Sequence, residues 1–96
     1  MSESILFIGS KPFMNYVTGV VLQFTTKGAS VVHIRARGKW ISKAVDIAEI
    51  STKRFLINQA KVQSISIGSE QFKNEEGRDV RVSTIEIVLA KVSVTK

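Results

Sequence analysis

No cysteine occurs in this chain of 96 residues, which excludes disulfides and thiolate metal sites and permits an intracellular home. The one histidine, His33, lies in a β-branched stretch with no second metal-binding side chain beside it, so a packed or edge histidine is expected there. No apolar run approaches the length needed to span a bilayer. The N-terminal residues 1–9, Met-Ser-Glu-Ser-Ile-Leu-Phe-Ile-Gly, lack the basic leader and long apolar core of a signal peptide and read as a short strand. Phosphate-loop glycine spacing is missing as well. Gly9-Ser10-Lys11 has neither the two spaced glycines nor the Lys-Ser/Thr pair of an NTPase, and Arg37-Gly38-Lys39 is no dinucleotide fingerprint. Asp46 and Glu49 share a helix face, but solubilising charges account for them. With no nucleophile–base pair and no metal cluster, neither an enzyme nor a cofactor is expected.

Acidic residues are also scarce. Eight Asp and Glu face fourteen Lys and Arg, a net charge of +6, which favours an anionic partner: nucleic acid, an acidic protein or an anionic membrane surface. Net charge alone does not choose among them. At 44% hydrophobic and 23% charged residues, the chain is too apolar for a disordered tail, and residues 1–96 should fold as one domain.

The pattern along the chain is strand–helix–strand–helix–strand–strand. Residues 4–9 form a compact apolar run, broken by Gly9-Ser10-Lys11-Pro12. Phe13, Met14, Tyr16, Val17, Val20, Val21 and Phe24 then recur at helical spacing, with Pro12 suited to the first turn and Lys27-Gly28 to the stop. Residues 30–37 read as a second strand. Ile41, Ala44, Val45, Ala48, Thr52 and Phe55 mark one face of a second helix. Residues 61–72 and 80–94 form a hairpin around the turn Asn74-Glu75-Glu76-Gly77. The first crossover should place strands one and two in parallel. In the last strand Ile85, Ile87 and Leu89 occupy one face and Val80, Val82, Val88, Val92 and Val94 the other. A strand apolar on both faces is usually covered on both, and a second subunit is the simplest cover; a ragged exposed face is the alternative.

Placement sharpens the charge. Arg35, Arg37, Lys39 and Lys43 put four cations in nine residues, with no acid until Asp46. They straddle the turn into helix two, while Lys11 occupies the equivalent turn into helix one. Both turns fall at the carboxyl ends of parallel strands, hence at one edge, where helix N-terminal amides favour phosphate. The hairpin tip mixes Lys73, Arg78 and Arg81 with Glu70, Glu75, Glu76 and Asp79, so it is not net basic. It would still project about 20 Å, enough to follow or enter a groove. A solvated hairpin is the competing reading. Trp40, among Lys39 and Lys43, either covers the core edge or contacts the ligand.

Three stretches resemble the Alba family of archaeal chromatin proteins. They are Ile8-Gly9-Ser10-Lys11-Pro12-Phe13-Met14-Asn15-Tyr16-Val17, Ile34-Arg35-Ala36-Arg37-Gly38-Lys39-Trp40-Ile41-Ser42-Lys43-Ala44-Val45-Asp46, and Gly77-Arg78 through Arg81-Val82-Ser83-Thr84-Ile85-Glu86-Ile87. With Lys53-Arg54-Phe55-Leu56 they run nearly the length of the chain. The resemblance implies an α+β fold like the C-terminal domain of a bacterial translation initiation factor: a four-stranded mixed sheet packed on two helices. It also implies a homodimer with two hairpin arms that reach the minor groove, and a basic surface including Lys11, Arg37 and Lys43. Phe55 matches the family's phenylalanine for dimer-to-dimer contacts on DNA. Two departures stand out. Ser10 replaces the lysine that members acetylate, and Arg37-Gly38-Lys39 followed by Trp40 replaces Arg-Gly-Arg; lysine keeps the charge without the bidentate fork.

The function expected is sequence-tolerant binding of double-stranded DNA by a cytoplasmic, chromosome-associated protein that coats and compacts it, with RNA as a further partner. Phosphate contacts would supply the affinity. A primarily RNA-binding or RNA-chaperone role is the alternative.

Overall fold

The computed structural model describes residues 2–92; the last-strand position Val94 lies outside them. The elements come in the expected order: β1 (Glu3–Phe7), α1 (Phe13–Thr25), β2 (Val31–Arg37), α2 (Ile41–Ile50), β3 (Ala60–Lys73) and β4 (Asp79–Lys91). Pro12 stands immediately before α1 with φ −57°, where a missing N–H leaves no bond unmade. Gly28, at φ 70°, lies three residues past α1 in a conformation that a side chain would strain.

The second helix is not uniform. A 3-10 turn, Gly38–Trp40, leads into α2, and its last stretch widens to a π turn over Ser51–Phe55. There the Leu56 N–H donates to the Ser51 carbonyl at 2.9 Å, five residues back. The buried side of this rod is Ala44, Ile47, Ala48, Ser51 and Thr52. Ile47 belongs to the core although the expected face omitted it, whereas Val45 and Phe55 turn outward.

The four strands form one mixed sheet in the order β1-β2-β4-β3, with β1 parallel to β2 and the other neighbours antiparallel. Val32, Ile34 and Ala36 sit opposite Leu89, Ile87 and Ile85 and form the floor against which both helices pack. On the opposite face, Val88 is buried within the protomer beside His33, and Val80, Val82 and Val92 are half-buried. The valine face of β4 is therefore at least half-buried within the protomer. The sheet's uncovered apolar surface lies on its edge strands, at Ile5 and Phe7 of β1 on the helix-free side and along a longer stretch of β3 on the helix side.

The position of the β3 stretch follows from layer geometry. The helices lie chiefly over β1, β2 and β4, and it is mainly the π turn that packs on β3, the edge strand beyond them. A bulge between Val62 and Ser64 shifts the alternation of β3, so that Val62, Ile65 and Ile67 all pair with helix-side residues of β4. Ile65 is 60% and Ile67 83% exposed.

The hairpin outruns the body and stretches the molecule to 58 × 25 × 20 Å. Its turn is built by Asn74, whose Oδ1 accepts from the Glu76 N–H at 2.9 Å and the Arg78 N–H at 3.0 Å. Gly77 takes the required positive φ of 79°.

Candidate nucleic-acid interface

The two basic turns meet at one edge and are locked together there. Tyr16, on the buried face of α1, turns its hydroxyl toward the first turn, where it accepts from the Gly9 N–H at 2.9 Å and the Lys11 N–H at 3.2 Å. Lys43, on α2, donates from Nζ to the Gly9 carbonyl at 2.7 Å and the Lys11 carbonyl at 2.6 Å. Its ammonium also lies 5.0 Å from the Tyr16 ring centroid and 5.1 Å from that of Trp40. Lys39 approaches the same Trp40 ring at 4.9 Å. Trp40 thus braces two cations as well as covering the core edge.

Lys43 is committed inward, and Lys11 and Lys39 are left as the outward charges of the edge. Neither has an ion-pair partner among the described residues. Neither α1 nor the 3-10 turn has a side-chain cap or an acid in its first turn, so the helix N-terminal N–H groups keep their partial positive charge. Lys43→Met should remove both carbonyl bonds while keeping most of the stem packing. Because the Lys11 carbonyl can turn to water, the expected loss is about 1–2 kcal/mol, read as a lower denaturant midpoint at unchanged m.

The four cations of residues 35–43 divide between two surfaces. Strand alternation sends Arg35 and Arg37 to the helix-free face, opposite to buried Ile34 and Ala36. Arg35 Nε donates to Glu86 Oε2 at 2.6 Å, and Arg37 Nη2 meets Glu70 Oε1 at 2.8 Å. The Arg37 guanidinium also lies 6.0 Å from the Phe72 ring centroid. His33 bridges the same face, with Nδ1 3.2 Å from Glu86 Oε2 and Nε2 2.8 Å from Glu3 Oε1. The Arg35 hydrogen bond holds the Glu86 carboxyl below its ordinary value; partial burial opposes this, and the charges of Arg35 and His33 assist it.

On the arm, Lys73 pairs with Asp79 at 3.2 Å and Arg78 with Glu76 at 3.8 Å, all well exposed. Arg81 faces Gln71 across the ladder and has no carboxylate within 4.0 Å among the described residues. Phe55 is 48% exposed, beside an apolar cleft of about 140 Å³ lined by Met14, Val17, Thr18, Val21 and Leu22. Sequence reasoning missed the Tyr16 hydroxyl and the carboxylates of Glu70 and Glu86. Tyr16 scores only as one more apolar residue of its helix, and nothing local links the two acids to arginines on another strand. Among the described residues, no three His, Asp or Glu side chains converge to hold a metal, and no helix is long and apolar enough to cross a membrane.

Fold and site together define a two-layer α+β protein with an open cationic edge, uncapped helix starts and a projecting hairpin. The Alba family profile matches residues 4–69, and the chain belongs to that family. It is 44% identical to the DNA/RNA-binding protein Alba of Methanococcus maripaludis over 89 residues, 93% of this chain and 99% of that one. DNA/RNA-binding protein Alba 1 of Archaeoglobus fulgidus is 52% identical over 91 residues, 95% of this chain and 99% of its own length. The solved structure of Alba from Thermoplasma volcanium matches with a TM-score of 0.80 at 49% identity, over 90% of this chain and 98% of that one. Alba1 of Trypanosoma brucei shares the fold at a TM-score of 0.71 and 20% identity, over 93% of this chain and 69% of that one. The names of the archaeal relatives describe binding and no reaction, in keeping with the expectation of a non-enzyme.

Proposed function

We propose that this protein binds nucleic acid by its locked basic edge and coats duplex DNA as a homodimer with little preference for sequence. The observation that carries this reading is the joining of the Lys11 and Lys39 turns through Lys43, Tyr16 and Trp40, with no ion-pair partner for the two outward ammoniums among the described residues. Two preset charges beside helix N-termini suit phosphates at fixed spacing and offer nothing that distinguishes base pairs. Membership in a family whose relatives are named for DNA and RNA binding supports the same conclusion.

The arm adds Lys73, Arg78 and Arg81 beyond the body. The first two are paired only at the surface, where such pairs are weak enough to exchange for phosphate. The uncovered isoleucines of β3 supply the surface for a second copy, which would double the basic edge and present two arms. Phe55, beside the α1 cleft, would link neighbouring dimers along the duplex and compact it. Coating of this kind places the protein on the chromosome. RNA shares the phosphate chemistry; competition between duplex DNA and structured RNA at fixed salt ranks the two.

The central test is the salt dependence of duplex binding. Replacing Lys11 and Lys39 together by alanine should lower the log–log slope by about two, one per lost phosphate contact, and weaken all duplex sequences alike. An unchanged slope, or loss confined to certain sequences, would overturn the phosphate reading.

A further inference from the structure

The helix-free face of the sheet is furrowed. Two adjoining open cavities, of about 270 and 390 Å³, cross it and share Phe7, Arg35 and Arg37 as lining. The smaller one reaches Trp40 and Val82 at the basic edge, and the larger one runs to Gly68 and Thr84 on the hairpin. Phe7, on the edge strand β1, is 69% exposed, with its ring uncovered by the protomer. Gly68 keeps the far floor bare: a Cβ there would stand 3.2 Å from Thr84 Oγ1.

The chemistry of this furrow differs from that of the edge. Both guanidiniums are held by carboxylates, Arg35 by Glu86 at 2.6 Å and Arg37 by Glu70 at 2.8 Å, in pairs shorter and less exposed than those of the arm, so much of their charge is answered within the protein. Both side chains stay partly open to solvent, Arg35 at 42% and Arg37 at 56%, with Phe72 beside the Arg37 guanidinium. A tethered guanidinium plane and an exposed aromatic ring are surfaces on which nucleobases stack. A base is planar and neutral, and suits a furrow whose charges are paired. The unpaired ammonium of Lys39 lies against Trp40, which also borders the smaller cavity. Phosphate-binding and base-binding chemistry are thereby adjacent and separate. A duplex keeps its bases stacked inside and can use only the edge; a single strand can use both.

We propose that the furrow bounded by Trp40, Phe7 and the Arg35–Arg37 planes is a stacking site for unpaired nucleobases, on a strand whose phosphates are held at Lys11 and Lys39. This rests on the nucleic-acid reading above, which duplex binding tests independently. Four probes at fixed salt examine it with the full chain: an unstructured ribo-oligonucleotide, its deoxyribo counterpart, an abasic strand of equal length and charge, and duplex DNA. Trp40, the one tryptophan in the sequence, reports by its fluorescence. The base-bearing strands should bind about tenfold more tightly than the abasic strand, the contribution of one stacked base, and they alone should quench Trp40. Phe7→Ala should abolish that preference and leave duplex and abasic binding unchanged; Phe7→Tyr should restore it. Preference shown by the ribo strand alone assigns the site to RNA, and by both strands to any single strand.

Equal binding of base-bearing and abasic strands, with duplex binding intact, overturns the stacking site and spares the basic edge. If none of the four probes binds, the nucleic-acid reading itself fails. A change in the sedimentation of free protein on Phe7→Ala would make the furrow an interface between copies, and the stacking site would then be wrong.

Discussion

Ile67→Asp is expected to break the proposed homodimer into folded monomers that bind long duplex DNA about a hundredfold more weakly. Ile67 is the most exposed large apolar side chain among the described residues, at 83%, and Ile65 stands two residues along the same side of β3. In an isologous pair each isoleucine is buried twice, once in each copy, and each burial contributes about 1.5–3 kcal/mol. A carboxylate there would have to be dehydrated without a partner, which costs more than the isoleucine supplied. In the separated protomer position 67 already faces water, so the substitution removes no core contact. Losing the pairing loses avidity: two basic edges held together bind about 10²–10⁴ times more tightly than one. Sedimentation equilibrium reads the first effect and a duplex isotherm the second. A variant that stays dimeric at micromolar concentration would show that the copies meet elsewhere.

Phe55→Ala and Ile47→Ala should separate assembly on DNA from stability. The two positions lie eight residues apart on one helical rod, yet Ile47 is fully buried and Phe55 about half exposed. Truncating Ile47 leaves a cavity among Ala44, Ala48 and the sheet and should cost about 2–5 kcal/mol. Truncating Phe55 removes a ring that rests on the rim of the α1 cleft, and about 1 kcal/mol is expected. The order reverses on DNA. Ile47→Ala, where still folded, should bind with normal cooperativity, whereas Phe55→Ala should give a shallow isotherm on long duplex and normal affinity for a site one dimer wide. The measurements are thermal unfolding without DNA and isotherms on the two duplex lengths. Equal destabilisation by both variants, with cooperativity unchanged, would return Phe55 to the core.

The phase of that rod shows where sequence periodicity stops being informative. Spacing alone puts Val45 and Phe55 on the same face as Ala44 and Ala48. The Ser51–Phe55 segment widens to a π turn, and a helix that changes its residues per turn changes the direction of everything after it. Ile47, assigned to no face beforehand, fills the core because it falls at helical spacing between buried Ala44 and Ser51. Likewise, the alternation of β4 puts Ile85, Ile87 and Leu89 on one shared face, but neither says that this is the helix side nor reveals the bulge in β3 that turns Ile65 and Ile67 the same way.

Sequence by itself determined the element order, the turn at Asn74–Gly77, the parallel first pair, the excess of cations and the family. Each of these rests on composition or on neighbours a few residues apart, which one chain displays directly. Tertiary structure alone decided which cations stay free. Lys43 finds its acceptors 32 and 34 residues away, and Arg35 finds Glu86 at a separation of 51. A cation near a turn in sequence serves either phosphate or protein, depending on which carbonyl or carboxylate the fold carries to within hydrogen-bond reach. That distance is set by strand order and helix packing, and no local pattern encodes it.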